Sequence, residues 1–134
     1  MKMKKEDVNQ FITTFNQMRT LYDEIFSLAQ KKPNDSINKF KLNLINRVLS
    51  NSNHLLQDAF KPFPDFNLFD ESEMPSNSDV KIMLSQYLDS MERFRSKNIK
   101  KSFNQDWVWI IDNDKDDKNM IKTYGPTNRY QRVK

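Results

Sequence analysis

The chain has 134 residues and a formal net charge of +4, with one glycine, one histidine and no cysteine. This composition excludes thiolate zinc sites, disulfides and cysteine nucleophiles, and it disfavours glycine-rich phosphate loops. The longest apolar run falls far short of the roughly 20 residues of a membrane-spanning helix, and the basic start lacks the apolar stretch of a secretory signal. We therefore expect a cytoplasmic protein with no membrane contact and no cofactor.

A heptad of apolar residues predicts a first helix from about Lys5 to Lys31. Alternating steps of three and four put its members on one stripe of the helix, which is typical of a bundle or a coiled coil. The members that we expect to line a seam against a partner or a second copy are Phe11, Phe15, Met18 and Tyr22.

Two further helices are predicted, from about Ser36 to Phe60 and from about Asp79 to Lys100. Pro33 ends the first helix, and polar residues after it supply N-caps for the second. The polar stretch Ser50–Asn53 leaves the continuity of the second helix open, because Ser and Asn side chains that bond to nearby backbone groups can bend or break a helix. Together these elements predict a mainly α fold, an antiparallel three-helix bundle of up-down-up order over residues 1–104.

The linker over residues 61–77 continues a series of phenylalanines at every third position, Phe60, Phe63, Phe66 and Phe69. Its prolines favour an extended segment that presents one aromatic edge, and residues 65–79 carry five acids and no base. This pattern predicts a docking segment for another protein, anchored by Phe63, Phe66 and Phe69. The alternative is that these rings cover the open end of the core.

The character of the chain changes after Asn104. Trp107–Ile111 predicts a strand, and Met120–Tyr124 predicts its return, so that a hairpin over residues 105–126 packs on one end of the bundle. Trp107 and Trp109 share one face of this strand and form a second candidate contact for a protein partner. Residues 127–134 are predicted to be a flexible basic tail.

An aspartate triplet, Asp112, Asp114 and Asp116, matches the first three ligand positions of a calcium loop. The sixth and twelfth positions are Asp117 and Thr123, where that loop requires glycine and a bidentate glutamate. We therefore interpret the segment as a solvated turn and predict no metal site.

Basic residues concentrate after the middle of the third helix and in the tail. They could contact the phosphates of a nucleic acid, or the first group could complement the dipole at the C-terminal end of the helix. These residues are Arg93, Arg95, Lys97, Lys100, Lys101, Arg129 and Arg132.

Arg47 and His54 lie seven residues apart on the second predicted helix. Their spacing resembles the Arg-then-His spacing of HEPN-type ribonucleases, which are small helical domains that often dimerise. The resemblance implies that this pair would position a phosphate and move protons during RNA cleavage. Val48 departs from the family pattern, in which a polar residue follows the arginine.

These patterns favour a non-enzymatic protein–protein interaction module, an accessory or inhibitory subunit of a larger assembly. A protein partner, including a second copy of the chain, is the expected ligand. Two alternatives stay open: a helical protein that binds nucleic acid, and a metal-independent, HEPN-like ribonuclease.

Overall fold

A computed structural model of the chain describes residues 3–112, 114 and 120–127. The predicted class is confirmed, because three packed helices and a short antiparallel hairpin near the C-terminus account for the fold. The elements are α1 (Lys5–Lys31), α2 (Lys39–Phe60), a 3-10 turn (Glu71–Glu73), α3 (Asn77–Lys97), β1 (Ile99–Lys101) and β2 (Trp107–Trp109). No helix in these described ranges is long and apolar enough to cross a membrane.

The start of α2 differs from the predicted Ser36. Ser36 forms a β-bridge with Ser76, and the Ile37 amide donates to the Pro75 carbonyl at 2.9 Å. Because of this short pairing, α2 begins at Lys39. The side chain of the preceding residue, Asn38, caps its first turn.

α2 is continuous through Ser50–Asn53, the stretch at which the sequence leaves a bend or break open. The Ser52 hydroxyl donates to the Val48 carbonyl at 2.8 Å, a bond that a Ser side chain can make within a continuous helix. The one residue of α2 with non-helical dihedrals is Gln57, one turn further along (φ 54°, ψ −174°).

The helix order is up-down-down rather than up-down-up. α3 begins beside the end of α1, where the Asn77 amide side chain donates to the Lys32 carbonyl at 2.9 Å. It ends beside the start of α1, where the rings of Phe94 and Phe11 stack with centroids 5.3 Å apart. α1 and α3 are therefore antiparallel.

α2 and α3 run in the same direction. Tyr87 donates to the Asn53 side chain at 2.6 Å, and seven residues further along each helix Phe94 packs edge-on against Phe60. Parallel neighbours need a connection that returns the full length of the helix. Residues 61–76, which we call the crossover, make that return along α2.

The hairpin uses a different partner strand from the predicted one. The sequence predicts that the third helix continues to Lys100, but the Asn98 side chain donates to the Phe94 carbonyl at 2.7 Å and the helix stops. β1 then pairs antiparallel with β2, with Ile99 opposite Trp109. The predicted return strand contributes one bridge, between Val108 and Lys122, on the other edge of β2.

The heptad stripe of α1 faces the interior of the molecule. Phe11 and Met18 are fully buried, whereas Phe15 and Tyr22 pack partly buried at the edge of the core. Trp109 closes one end with its ring edge-on to Phe11, at a centroid distance of 5.1 Å. The stripe is thus covered by α3 and the hairpin. Little of its surface remains accessible for a seam with a second chain.

Candidate partner-binding surface

Two asparagine side chains of α2 hold the crossover in place. The Asn46 amide donates to the Phe69 carbonyl and its oxygen accepts from the Phe69 N–H, both at 3.0 Å. About two turns further along, Asn53 donates to the Asn67 carbonyl at 2.9 Å. Because Asn53 also accepts the bond from Tyr87, the crossover is tied to both α2 and α3.

The aromatic series of the crossover divides into inward and outward rings. Phe66 and Phe69 pack against each other with centroids 5.1 Å apart, and Phe66 lies 6.2 Å from the Tyr87 ring. Both are partly buried against the core. These two rings therefore cover the helix pair, as the alternative interpretation expects, while Phe63 remains 41% exposed.

Apolar and acidic side chains alternate on the outer side of the crossover. Leu68 is 48% exposed and Met74 is 39% exposed, and Met74 adopts a left-handed conformation (φ 48°), which is uncommon for a residue with a side chain. With Phe63 and four exposed acids they form what we call the crossover face. The acids are Asp65, Asp70, Glu71 and Glu73.

One acid of the crossover face, Asp70, makes local hydrogen bonds. The Asp70 carboxylate accepts from the Ser72 hydroxyl at 2.7 Å and from the Ser72 amide at 2.9 Å. These bonds lower the pKa of Asp70, so the group stays ionised below the usual range of an aspartate.

The two tryptophans contribute to the fold. Trp109 is 3% exposed and belongs to the core, so its predicted role as a partner contact has no accessible surface. Trp107 is partly buried, with the Lys101 ammonium 5.7 Å from its ring centroid and Gly125 close against its indole. The strand face that carries both rings is therefore packed against the rest of the chain and is not presented to a partner.

Arg95 is buried inside the molecule rather than placed for a phosphate. Its side chain is 2% exposed and forms an ion pair with Glu92. It also donates to the carbonyls of Tyr124 at 2.6 Å and Gly125 at 2.9 Å, and its guanidinium lies 3.6 Å from the Tyr124 ring centroid. This cluster fastens the C-terminal segment to α3. In the sequence, only the spacing of Glu92 three residues before Arg95 could have indicated that Arg95 is paired within the protein.

Tyr124 completes the cluster around Arg95. Burial and the Glu92 carboxylate raise the pKa of the Tyr124 phenol. The Thr123 hydroxyl accepts a further bond from Arg95 at 3.1 Å. Sequence reasoning missed these contacts because about thirty residues separate the partners.

The other basic residues predicted to contact nucleic acid differ in their contacts and exposure. Arg93 lies over the Phe60 ring at 5.0 Å and bonds to its carbonyl, whereas Lys97, Lys100 and Lys101 are exposed around the end of α3 and β1. The remaining predicted residues, Arg129 and Arg132, lie outside the described residues, as do Asp116 and Asp117 of the aspartate triplet and its loop. Among the described residues, no three potential ligands come close enough to hold a metal ion.

Arg47 and His54 are both exposed on α2 but are not brought into one cleft. Arg47 lines a groove between α1 and α2 whose lining does not include His54. His54 therefore does not share the groove of Arg47, and the two residues of the HEPN-like pair do not form one site.

None of the protein-family models, curated proteins or solved structures compared with the chain matches it.

Proposed function

We propose that this protein is a non-enzymatic protein-binding module that acts as an accessory or inhibitory subunit, and that the crossover face contacts a basic partner. One observation carries the proposal: a long connection is fastened to the bundle while three of its apolar side chains point outward. Those side chains are Phe63, Leu68 and Met74.

The length and the order of the crossover support binding. Connections of this length with little secondary structure are uncommon in compact domains, and many of those that occur are functional. Here Asn46 and Asn53 fix the backbone before any partner arrives. A preorganised surface loses less conformational entropy on association, which favours affinity.

The charge pattern indicates the chemistry of the partner. Residues 65–79 carry five acids and no lysine or arginine. Apolar anchors among mainly acidic side chains match a partner surface with an apolar patch and a basic rim, since complementary charge speeds encounter and selects the partner.

Photo-crosslinking tests this proposal in an extract of the cells that make the protein. Benzoylphenylalanine replaces Leu68 in one protein and, as a control, Ile82 on α3, which is also exposed. We expect a discrete heteromeric adduct from position 68 that weakens with added salt. Equal adducts from both positions, or a crosslinked dimer of this chain alone, would contradict a basic partner at the crossover face.

Single-stranded nucleic acid at the hairpin turn is a second candidate function. Phe103 is 80% exposed, more than any other large apolar side chain of the described residues, and it follows Lys100 and Lys101. An aromatic ring beside cations is the arrangement on which bases stack.

A labelled oligonucleotide tests this second candidate through fluorescence anisotropy. Binding that falls steeply with salt and is lost in Phe103→Ser would support it. Binding that Phe103→Ser leaves intact would exclude the hairpin turn as the site.

A further inference from the structure

A groove with an apolar floor lies between the middle of α1 and the middle of α2, away from the crossover. It measures about 440 Å³, within the roughly 300–1,000 Å³ of small-molecule sites. Its apolar lining comes from Leu21, Leu44 and Val48, and side-chain amides such as Gln17 and Asn51 supply polar groups. An apolar floor with a few polar groups is typical of a site for a small ligand.

Arg47 supplies the charge of this groove and is the one ionisable side chain among the described residues that line it. It makes no hydrogen bond or ion pair with any described residue, unlike Arg93 and Arg95, which bond within the molecule. A guanidinium offers a planar fork of donors that matches the two oxygens of a carboxylate, sulfonate or phosphate.

We propose that this groove binds a small amphipathic anion, with the acidic group on Arg47 and the apolar body on Leu21, Leu44 and Val48. A nucleic acid fits poorly, because a polyanion requires several cations and the groove presents one. An amphipathic helix would require a longer stripe of apolar anchors than these three residues provide.

The probe for this site is anilinonaphthalene sulfonate, which combines one sulfonate with an apolar ring system and fluoresces in apolar surroundings. We expect saturable binding of one molecule per chain. In a two-dimensional NMR spectrum, the side-chain amide signals of Gln17 and Asn51 should shift with the same dissociation constant. Shifts confined to other regions, or an absence of saturable binding, would overturn the proposal.

Substitution of Arg47 separates a directed site from general hydrophobic adsorption. Arg47→Gln is expected to weaken the probe at least about tenfold, because a charge-assisted bond is lost. Arg19→Gln is the matched control, because it removes an exposed arginine beside Phe15 that lines a different groove, and it should leave affinity unchanged. An unchanged affinity in Arg47→Gln would overturn the proposal.

Two further measurements keep the test independent of stability. Phenylnaphthylamine, which lacks the sulfonate, should bind wild-type protein at least about tenfold more weakly than the sulfonate probe, and Arg47→Gln should not change its affinity. Asn51→Asp, which puts a carboxylate one helical turn from Arg47, should weaken the sulfonate probe as Arg47→Gln does. Equal binding of the two probes to the wild type would contradict a role for the anion.

Discussion

Asn46 in the middle of α2 pairs with both backbone groups of Phe69, donating to its carbonyl and accepting from its N–H at 3.0 Å each. One side-chain amide thus replaces the backbone partner that an adjacent strand would supply. Because Phe69 lies between the exposed Leu68 and the acidic turn, this pair fixes the crossover face on the bundle.

Asn46→Ala is expected to destabilise the protein by about 2 kcal/mol, because two bonds are lost and two partly buried backbone groups are left without partners. Urea denaturation measures this loss, and hydrogen exchange at the Phe69 amide should accelerate. Asn43→Ala, an exposed asparagine of the same helix, is the matched control and should change stability by less than about 0.5 kcal/mol. Equal effects of the two substitutions would show that the Asn46 pair does not hold the crossover.

Arg95→Ala is expected to lower the free energy of unfolding by about 3–5 kcal/mol, because it leaves the Glu92 carboxylate uncompensated in a buried position. It also frees the carbonyls of Tyr124 and Gly125. Lys97→Ala, at an exposed position two residues later, should be nearly neutral. Guanidinium denaturation of both variants makes the comparison, and a neutral Arg95→Ala would show that the cluster around Arg95 does not hold the C-terminal segment on α3.

Gly125→Ala should destabilise the hairpin region by about 1–3 kcal/mol through overpacking. An added Cβ would lie 2.8 Å from the Trp107 indole nitrogen, so the ring has to shift. Tryptophan fluorescence should move to longer wavelength as Trp107 becomes more exposed. Thr127→Ala, at an exposed position nearby, is the control for a change of side-chain volume, and the proposed packing fails if the two spectra are the same.

Stability should fall between pH 10 and pH 12 because of Tyr87. Burial raises the pKa of this phenol from 10.0 to about 12. The folded state therefore holds the proton more tightly than the unfolded state, so the contribution is complete below pH 10 and is lost as the pH rises toward 12. The slope from this group approaches about 1.4 kcal/mol per pH unit.

Tyr87→Phe isolates that contribution. The variant loses the bond to Asn53 and should be less stable than the wild type at pH 8 by about 1 kcal/mol. Its stability should then decline more shallowly above pH 10, and the ultraviolet titration should lack the phenol near pH 12. Parallel declines in the two proteins would show that Tyr87 titrates normally.

The helices could be predicted because their signals are local. The spacing from Val8 to Ala29 indicates one buried stripe, and α1 has the predicted bounds Lys5–Lys31. The prolines and acids after Phe60 likewise indicate that a long connection separates the second and third helices.

The helix order and the accessible site residues could not be predicted because they depend on distant contacts. The bonds from Asn46 and Asn53 to the crossover set its path, and an asparagine on a helix gives no signal of such a role. A three-residue aromatic repeat also does not show which rings point inward, so Phe66 and Phe63 look equivalent in the sequence.

The most direct test of the crossover face is the affinity of Phe63→Ser/Leu68→Ser for the crosslinked partner, measured by calorimetry beside the melting temperature. Because both side chains are substantially exposed, we predict a loss of at least about a hundredfold in affinity with a melting temperature within about 2 °C of the wild type. Unchanged affinity in this stable double variant would contradict the proposed contact surface.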